Sequence, residues 1–119
     1  MTNRFRIWVA FSLLSLAACT GPAAAVPELP KSISPGWRLA GFARAGDGWQ
    51  GGYSGPGTAQ VRIFPIASQA AGLDRIQKFQ ASATSVAFYS EHYFTIVSWK
   101  GAGSEQIRPL IKALEGNLK

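Results

Sequence analysis

The chain has 119 residues, with 12 Lys plus Arg against 6 Asp plus Glu, one His, one Cys and 47% hydrophobic residues. That length holds one domain, and 15% charged residues are too few for a disordered tail. A single His and a single Cys exclude a zinc finger, a Cys-rich scaffold and any internal disulfide.

Arg4 and Arg6 open the chain, and Ile7 to Ala18 follow, apolar apart from Ser12 and Ser15. A membrane-spanning helix needs about 20 such residues, so this stretch is too short to remain as an anchor. Its charge, length and small-residue ending are those of an export signal over residues 1–18. Leu16-Ala17-Ala18-Cys19 resembles the lipobox of bacterial lipoprotein signals: an aliphatic residue, two small residues, then a Cys. The resemblance implies lipidation of Cys19 by a diacylglyceryl group, cleavage just before it, and acylation of the new amine by a palmitate-like chain. Each buried CH₂ is worth about 0.8 kcal/mol, so one chain holds weakly while two or three anchor stably. The competing reading is an ordinary secretory signal cut at Ala23-Ala24-Ala25. Thr20 stands where that family often carries an inner-membrane retention Asp. In a host with two membranes the resemblance therefore implies the outer membrane, facing the periplasm.

Loss of Arg4 and Arg6 with the signal leaves ten Lys plus Arg against six acids, spread without a cluster. Nucleic acid binding would need a basic patch, so no nucleic acid partner is expected. Thr20 to Pro35 holds Pro22, Pro27, Pro30 and Pro35 and no hydrophobic periodicity. This composition predicts an extended tether over residues 19–35, with the folded domain at 36–119.

Trp37 to Phe42 alternates and reads as a first strand, and Trp49 to Tyr53 as a second short one. After the turn signal Ser54-Gly55-Pro56-Gly57, Thr58 to Phe64 alternates cleanly as a third strand, stopped by Pro65. Ser68 is placed to cap a helix running to about Gln80, with Leu73, Ile76 and Phe79 at helical spacing. Gly72 weakens that helix by roughly 1 kcal/mol relative to Ala. Thr84–Ser90 and Tyr93–Trp99 form a hairpin about Glu91-His92. A two-residue loop there puts Val86, Phe88, Thr95 and Val97 on one face and Ala87, Tyr89, Phe94 and Ile96 on the other. With both faces apolar, the hairpin is expected at the centre of the sheet, partly covered on both sides. Ile107, Leu110, Ile111, Leu114 and Leu118 then give a closing amphipathic helix, with Pro109 either in its first turn or delaying its start. The order β-β-β-α-β-β-α predicts an α+β fold: an antiparallel sheet of about five strands with two helices packed mainly on one face.

Candidate chemistry is sparse. Gly46, Gly48 and Gly51 match G-x-G-x-x-G, but no helix follows to hold a pyrophosphate. Gly52-Tyr53-Ser54-Gly55-Pro56 misses the G-x-S-x-G nucleophile elbow at its last position, and Ser54 would need His92 as base. Asp47, Asp74, Glu91, Glu105 and Glu115 are scattered, so no metal site and no cofactor are expected. Trp49 and Tyr53 sit among glycines, where an aromatic ring can contact a partner, so both are candidate partner contacts, with a place in the small core as the competing reading.

From Leu29 onward the chain is similar to a loose family of uncharacterised bacterial exported domains. The similarity rests on Leu29-Pro30, Gly36-Trp37, the strand after Gly57, the hairpin Phe88-Tyr89 with Tyr93 to Val97, and the helix of Leu110, Leu114 and Leu118. Members commonly carry longer segments around the glycine-rich loop, and no activity or site comes with the resemblance. The expected function is a membrane-tethered envelope lipoprotein acting as a non-catalytic binding module, with an envelope protein preferred over a glycan as partner. The alternative is a carrier of a lipid-like small ligand, with a cavity between sheet and helices; a hydrolase ranks third.

Overall fold

A computed structural model describes residues 25–118. Six strands form one antiparallel sheet: β1 (Ser32–Ile33), β2 (Trp37–Ala45), β3 (Gly48–Ser54), β4 (Thr58–Pro65), β5 (Ser85–Tyr89) and β6 (Tyr93–Lys100). Helix α1 (Gln69–Lys78) joins β4 to β5, and α2 (Ser104–Asn117) closes the chain. The strands lie in the order β1-β2-β3-β4-β6-β5, so the fold is α+β with an antiparallel sheet.

Local chemistry accounts for the turns. Gly46 has φ 61, and Asp47 beside it is not positive. A glycine at the first central position suits a type II′ hairpin, whose twist matches the strands it joins. The β5–β6 hairpin has the register expected for a two-residue loop: Val86 faces Val97, Phe88 faces Thr95 and Tyr89 faces Phe94. It lies at the end of the sheet rather than its centre, because β6 pairs with β4 and leaves β5 as an edge.

Alternation sorts the strands into two faces. Trp49 and Tyr53, then Ala59, Val61 and Ile63, then Tyr93, Thr95, Val97 and Trp99 point inward and are buried. Helix α2 lies over them, packing Ile107, Leu110, Leu114 and Leu118 into the same cluster. Trp37 is fully buried, and its indole N–H donates to the Gln106 carbonyl at 2.9 Å. Fully burying such a large apolar side chain stabilises by about 1.5–3 kcal/mol, so this face carries most of the stability. Pro109 falls in the second turn of α2, neither in its first turn nor ahead of its start. The helix forms around it because Gln106 caps the Gly103 N–H through Oε1 at 2.9 Å and three leucines hold the far end in the core.

The opposite face takes the other helix. Ser68 caps α1 by accepting from the Ala71 N–H at 3.2 Å, and the helix ends at Lys78 rather than near Gln80. Its buried Gly72 packs tightly on the sheet: a Cβ there would stand 2.6 Å from Cδ2 of Tyr89. Leu73, expected to face inward, is therefore 46% exposed, since one residue turns the helix by about 100°. Arg75 lies over the rings of Phe64 and Phe94 on this same face. The two helices thus cover opposite faces, not mainly one. The apolar outer residues Phe64, Phe94 and Tyr89 are clustered at one end and required a cover of their own.

The packed chain also begins earlier than expected. Residues 25–35, predicted to belong to the tether, lie along the inner face and supply the sixth strand. Ile33 is buried, and Leu29 packs beside Gly51. Three side chains hold the segment by its carbonyls: Tyr93 donates to Ala25, Asn117 to Glu28, and Tyr53 to Pro30 at 2.7 Å. The sequence hid this because prolines contribute apolar bulk without any periodic signal.

Candidate binding face

Helix α1 covers only one end of the outer face. The rest is open, and its residues follow from the register. Arg38, Ser54, Thr58 and Lys100 make one cross-strand row; Gly41, Gly52, Gln60 and Ser98 make the next; Ala43, Gln50, Arg62 and Ile96 make a third. Apart from Ile96, these are the polar or small residues that alternate with the inward ones along each strand. The sheet curls so that this face is concave, with a volume of about 1170 Å³. Ala40 to Ala45 of β2 line one side, and Ser98 to Gly101 with Thr84 line the other.

The charge of the sheet is one-sided. Arg38, Arg44, Arg62 and Lys100 lie in strands, whereas Glu28, Asp47, Asp74, Glu91, Glu105 and Glu115 all lie in turns, helices or the N-terminal segment. Among the described residues Lys78 pairs with Asp74 at 3.1 Å and His92 lies 3.8 Å from Glu91, and neither contact involves a strand cation. Arg44 instead stacks over the Trp49 ring at 5.3 Å, and Arg62 over Phe64 at 5.4 Å. The concavity offers hydroxyls, amides and the Lys100 side chain among small apolar residues, with no carboxylate in its lining.

Trp49 and Tyr53 take the core role instead of lying open as partner contacts. They are 4% and 2% exposed and face α2 and the N-terminal segment, so no partner reaches their rings. Trp49 meets Tyr93 edge-to-face at 6.1 Å. Burial pushes the Tyr53 phenol up to about 12, and burial also raises that of Tyr93. The glycines around them reflect close packing rather than a flexible loop: Gly51 sits against Leu29, and a Cβ at Gly48 would strike the Ile63 carbonyl.

Ser54 and His92 are not brought together. Ser54 shares the row of Lys100, while His92 lies beyond Tyr93 at the other end of β6, about 26 Å along the strand. Gly46, Gly48 and Gly51 belong to the β2–β3 hairpin, with no helix N-terminus after them. Among the described residues no three His, Cys, Asp or Glu side chains converge, and no helix is long and apolar enough to cross a membrane. The space between the sheet and α2, expected for a carried ligand, is filled by Trp37, Tyr53, Val61 and the α2 leucines, and the concavity lies on the other face. Cys19 lies outside the described residues.

Sequence reasoning missed Gln50, Gln60, Ser98 and Lys100. The period-two alternation of β4 and β6 contains three of them, but the glycines of β3 hid the strand that joins them into a surface. No family model, curated protein or solved structure matches the chain.

Proposed function

We propose that this chain is a lipid-anchored protein of the bacterial cell envelope whose domain is a non-catalytic binding module. The anchor is acylated Cys19, and in a host with two membranes the domain faces the periplasm from the outer membrane. The reading of the anchor rests on the lipobox Leu16 to Cys19 at the end of a complete export signal. The reading of the domain rests on one observation: a concave, uncovered half of a sheet face, lined by small apolar residues, amides and hydroxyls with Lys100 at one side, and free of carboxylates. A merely solvated face has no need to be concave or one-signed. From Cys19 to Ala25 the chain can span at most about 20 Å, so acylation would keep the domain close to the membrane and to proteins anchored there.

Two measurements test it. Intact mass and membrane partition of the expressed protein should give residues 19–119 plus acyl chains, both lost in Cys19→Ser. A soluble, unmodified product would end the anchor reading. A photo-crosslinking residue in place of Gln60 should trap a specific envelope partner, while one in place of Lys112, on the exposed side of α2, should not. Equal yields from both positions would end the binding-face reading.

A further inference from the structure

β2 is nine residues long, and its outer neighbour covers only its beginning. β1 pairs Ile33 with Trp37 and Ser32 with Arg38, and the Lys31 carbonyl accepts from the Leu39 N–H at 2.9 Å. Pro30 then leads the chain under the inner face, where Tyr53 holds its carbonyl. Beyond Leu39, no described residue pairs with the outer edge of β2. The two-residue turn makes Ala45 and Gly48 a hydrogen-bonded pair, and antiparallel alternation then extends this to Ala43 and Gly41. Phe42 and Arg44 therefore turn both their N–H and C=O groups away from β3, toward solvent.

Natural sheets usually blunt such an edge with charged side chains, proline, a bulge or very short length. Here the bulge at Ala40 opens the free stretch and Arg44 is its one charge, while Gly41 to Ala45 holds neither lysine nor proline and keeps a regular register. The side chains of Ala40 to Ala45 are small except Phe42 and Arg44, and five of the six residues are exposed. The opposite edge of the sheet is different: Ser82 bridges Ser85 through both backbone groups, and α1 flanks β5. The β2 edge also forms one side of the concavity.

We infer that Ala40–Ala45 of β2 takes an extended acidic segment of an envelope protein as an added strand. This rests on the binding-module reading and names the partner of that face. Backbone hydrogen bonds to Phe42 and Arg44 supply the attachment, and an alternating segment supplies the fit. On the inner side it sets an apolar residue beside half-buried Phe42 and a carboxylate beside Arg44. Arg38, Arg62 and Lys100 stand on the outer face of the same sheet, and no strand among the described residues carries an acid to compete. A second copy of the chain is a poor occupant, since two β2 edges would put Arg38 and Arg44 of both copies in one seam with no carboxylate between them.

The test uses the mature acylated protein in neutral detergent micelles and a capped peptide of about seven residues, Val and Thr alternating between terminal glutamates. Amide hydrogen exchange at Phe42 and Arg44 should slow about tenfold with saturating peptide, while amides of α2 stay unchanged. The same peptide N-methylated at alternate amides should not bind, and Arg44→Glu should weaken binding about fivefold or more. Equal binding of the Gln-for-Glu peptide would overturn the acidic specificity. Binding that leaves the Phe42 and Arg44 amides unprotected would overturn strand addition. Protection that rises with protein concentration and without peptide would give the edge to a second copy. If Gln60 crosslinks a partner but these amides stay open, the edge inference fails alone; if Gln60 and Lys112 label equally, the binding-face reading fails with it.

Discussion

Thr95 is a polar residue in an apolar place. It is fully buried between Ile63 and Phe88 in the sheet register, and its hydroxyl has no hydrogen-bond partner. A buried unpaired hydroxyl costs free energy, whereas its branched Cβ fits the strand well. Thr95→Val keeps the shape and removes the orphan, so it should stabilise by about 1 kcal/mol, seen as a higher melting temperature. Tyr53 gives the pH counterpart. Its phenol stays protonated to about 12 in the folded state against 10.0 when exposed. The folded state therefore holds a proton that the unfolded state has lost, so stability is intact below pH 10 and falls as pH rises from there toward about 12. Tyrosinate absorbance should show a last transition that vanishes in Tyr53→Phe. The same variant loses the bond to the Pro30 carbonyl, worth about 1 kcal/mol.

At the scale of elements, α1 is the informative one. Sequence alone marks Gly72 as a weak point, since Ala in an exposed helix gains about 1 kcal/mol over Gly. The structure reverses the sign, because a Cβ would stand 2.6 and 2.9 Å from Cδ2 and Cγ of Tyr89 and 2.8 Å from Cδ1 of Ile66. Ring atoms near the Cβ of Tyr89 cannot swing aside as a flexible tip would. Gly72→Ala should destabilise by about 1 kcal/mol or more, as overpacking does. In a Tyr89→Ala background the same change should become stabilising, and denaturant melts of the four proteins in that cycle decide the matter. Helix α2, in contrast, was legible: Ile107, Leu110, Leu114 and Leu118 recur at helical spacing and all four are buried. Only its start was misjudged, because a proline costs less in a helix pinned from both ends.

For the whole molecule, the N-terminal segment decides where the domain begins. Read by composition it is a tether; read by contacts it is a strip of the core that ends in β1. A mature protein shortened to start at Gly36 should lose about 3 kcal/mol or more, from the burial of Ile33 and Leu29 and the bond to Tyr53. Equal denaturant midpoints for chains starting at Ala25 and at Gly36 would show that the segment is dispensable. The same segment sets how much of the β2 edge is free, because it leaves that edge at Pro30 and so limits β1 to two residues.

The sequence by itself determined the class of each long element, the register of the β5–β6 hairpin and the inward set of β4, because these follow from local period and turn chemistry. It also carried the expectation of an export signal with Cys19 at its end. Only the tertiary structure decided that the helices take opposite faces, that Trp49 and Tyr53 are core residues, and that half of one sheet face is open. Those outcomes depend on which strands become neighbours. β6 inserted beside β4, rather than following β5 outward, sets Gln60 next to Ser98 and Thr58 next to Lys100. No periodicity within either strand encodes that pairing, since each strand's pattern fixes which side is apolar and leaves the neighbour to be chosen by packing.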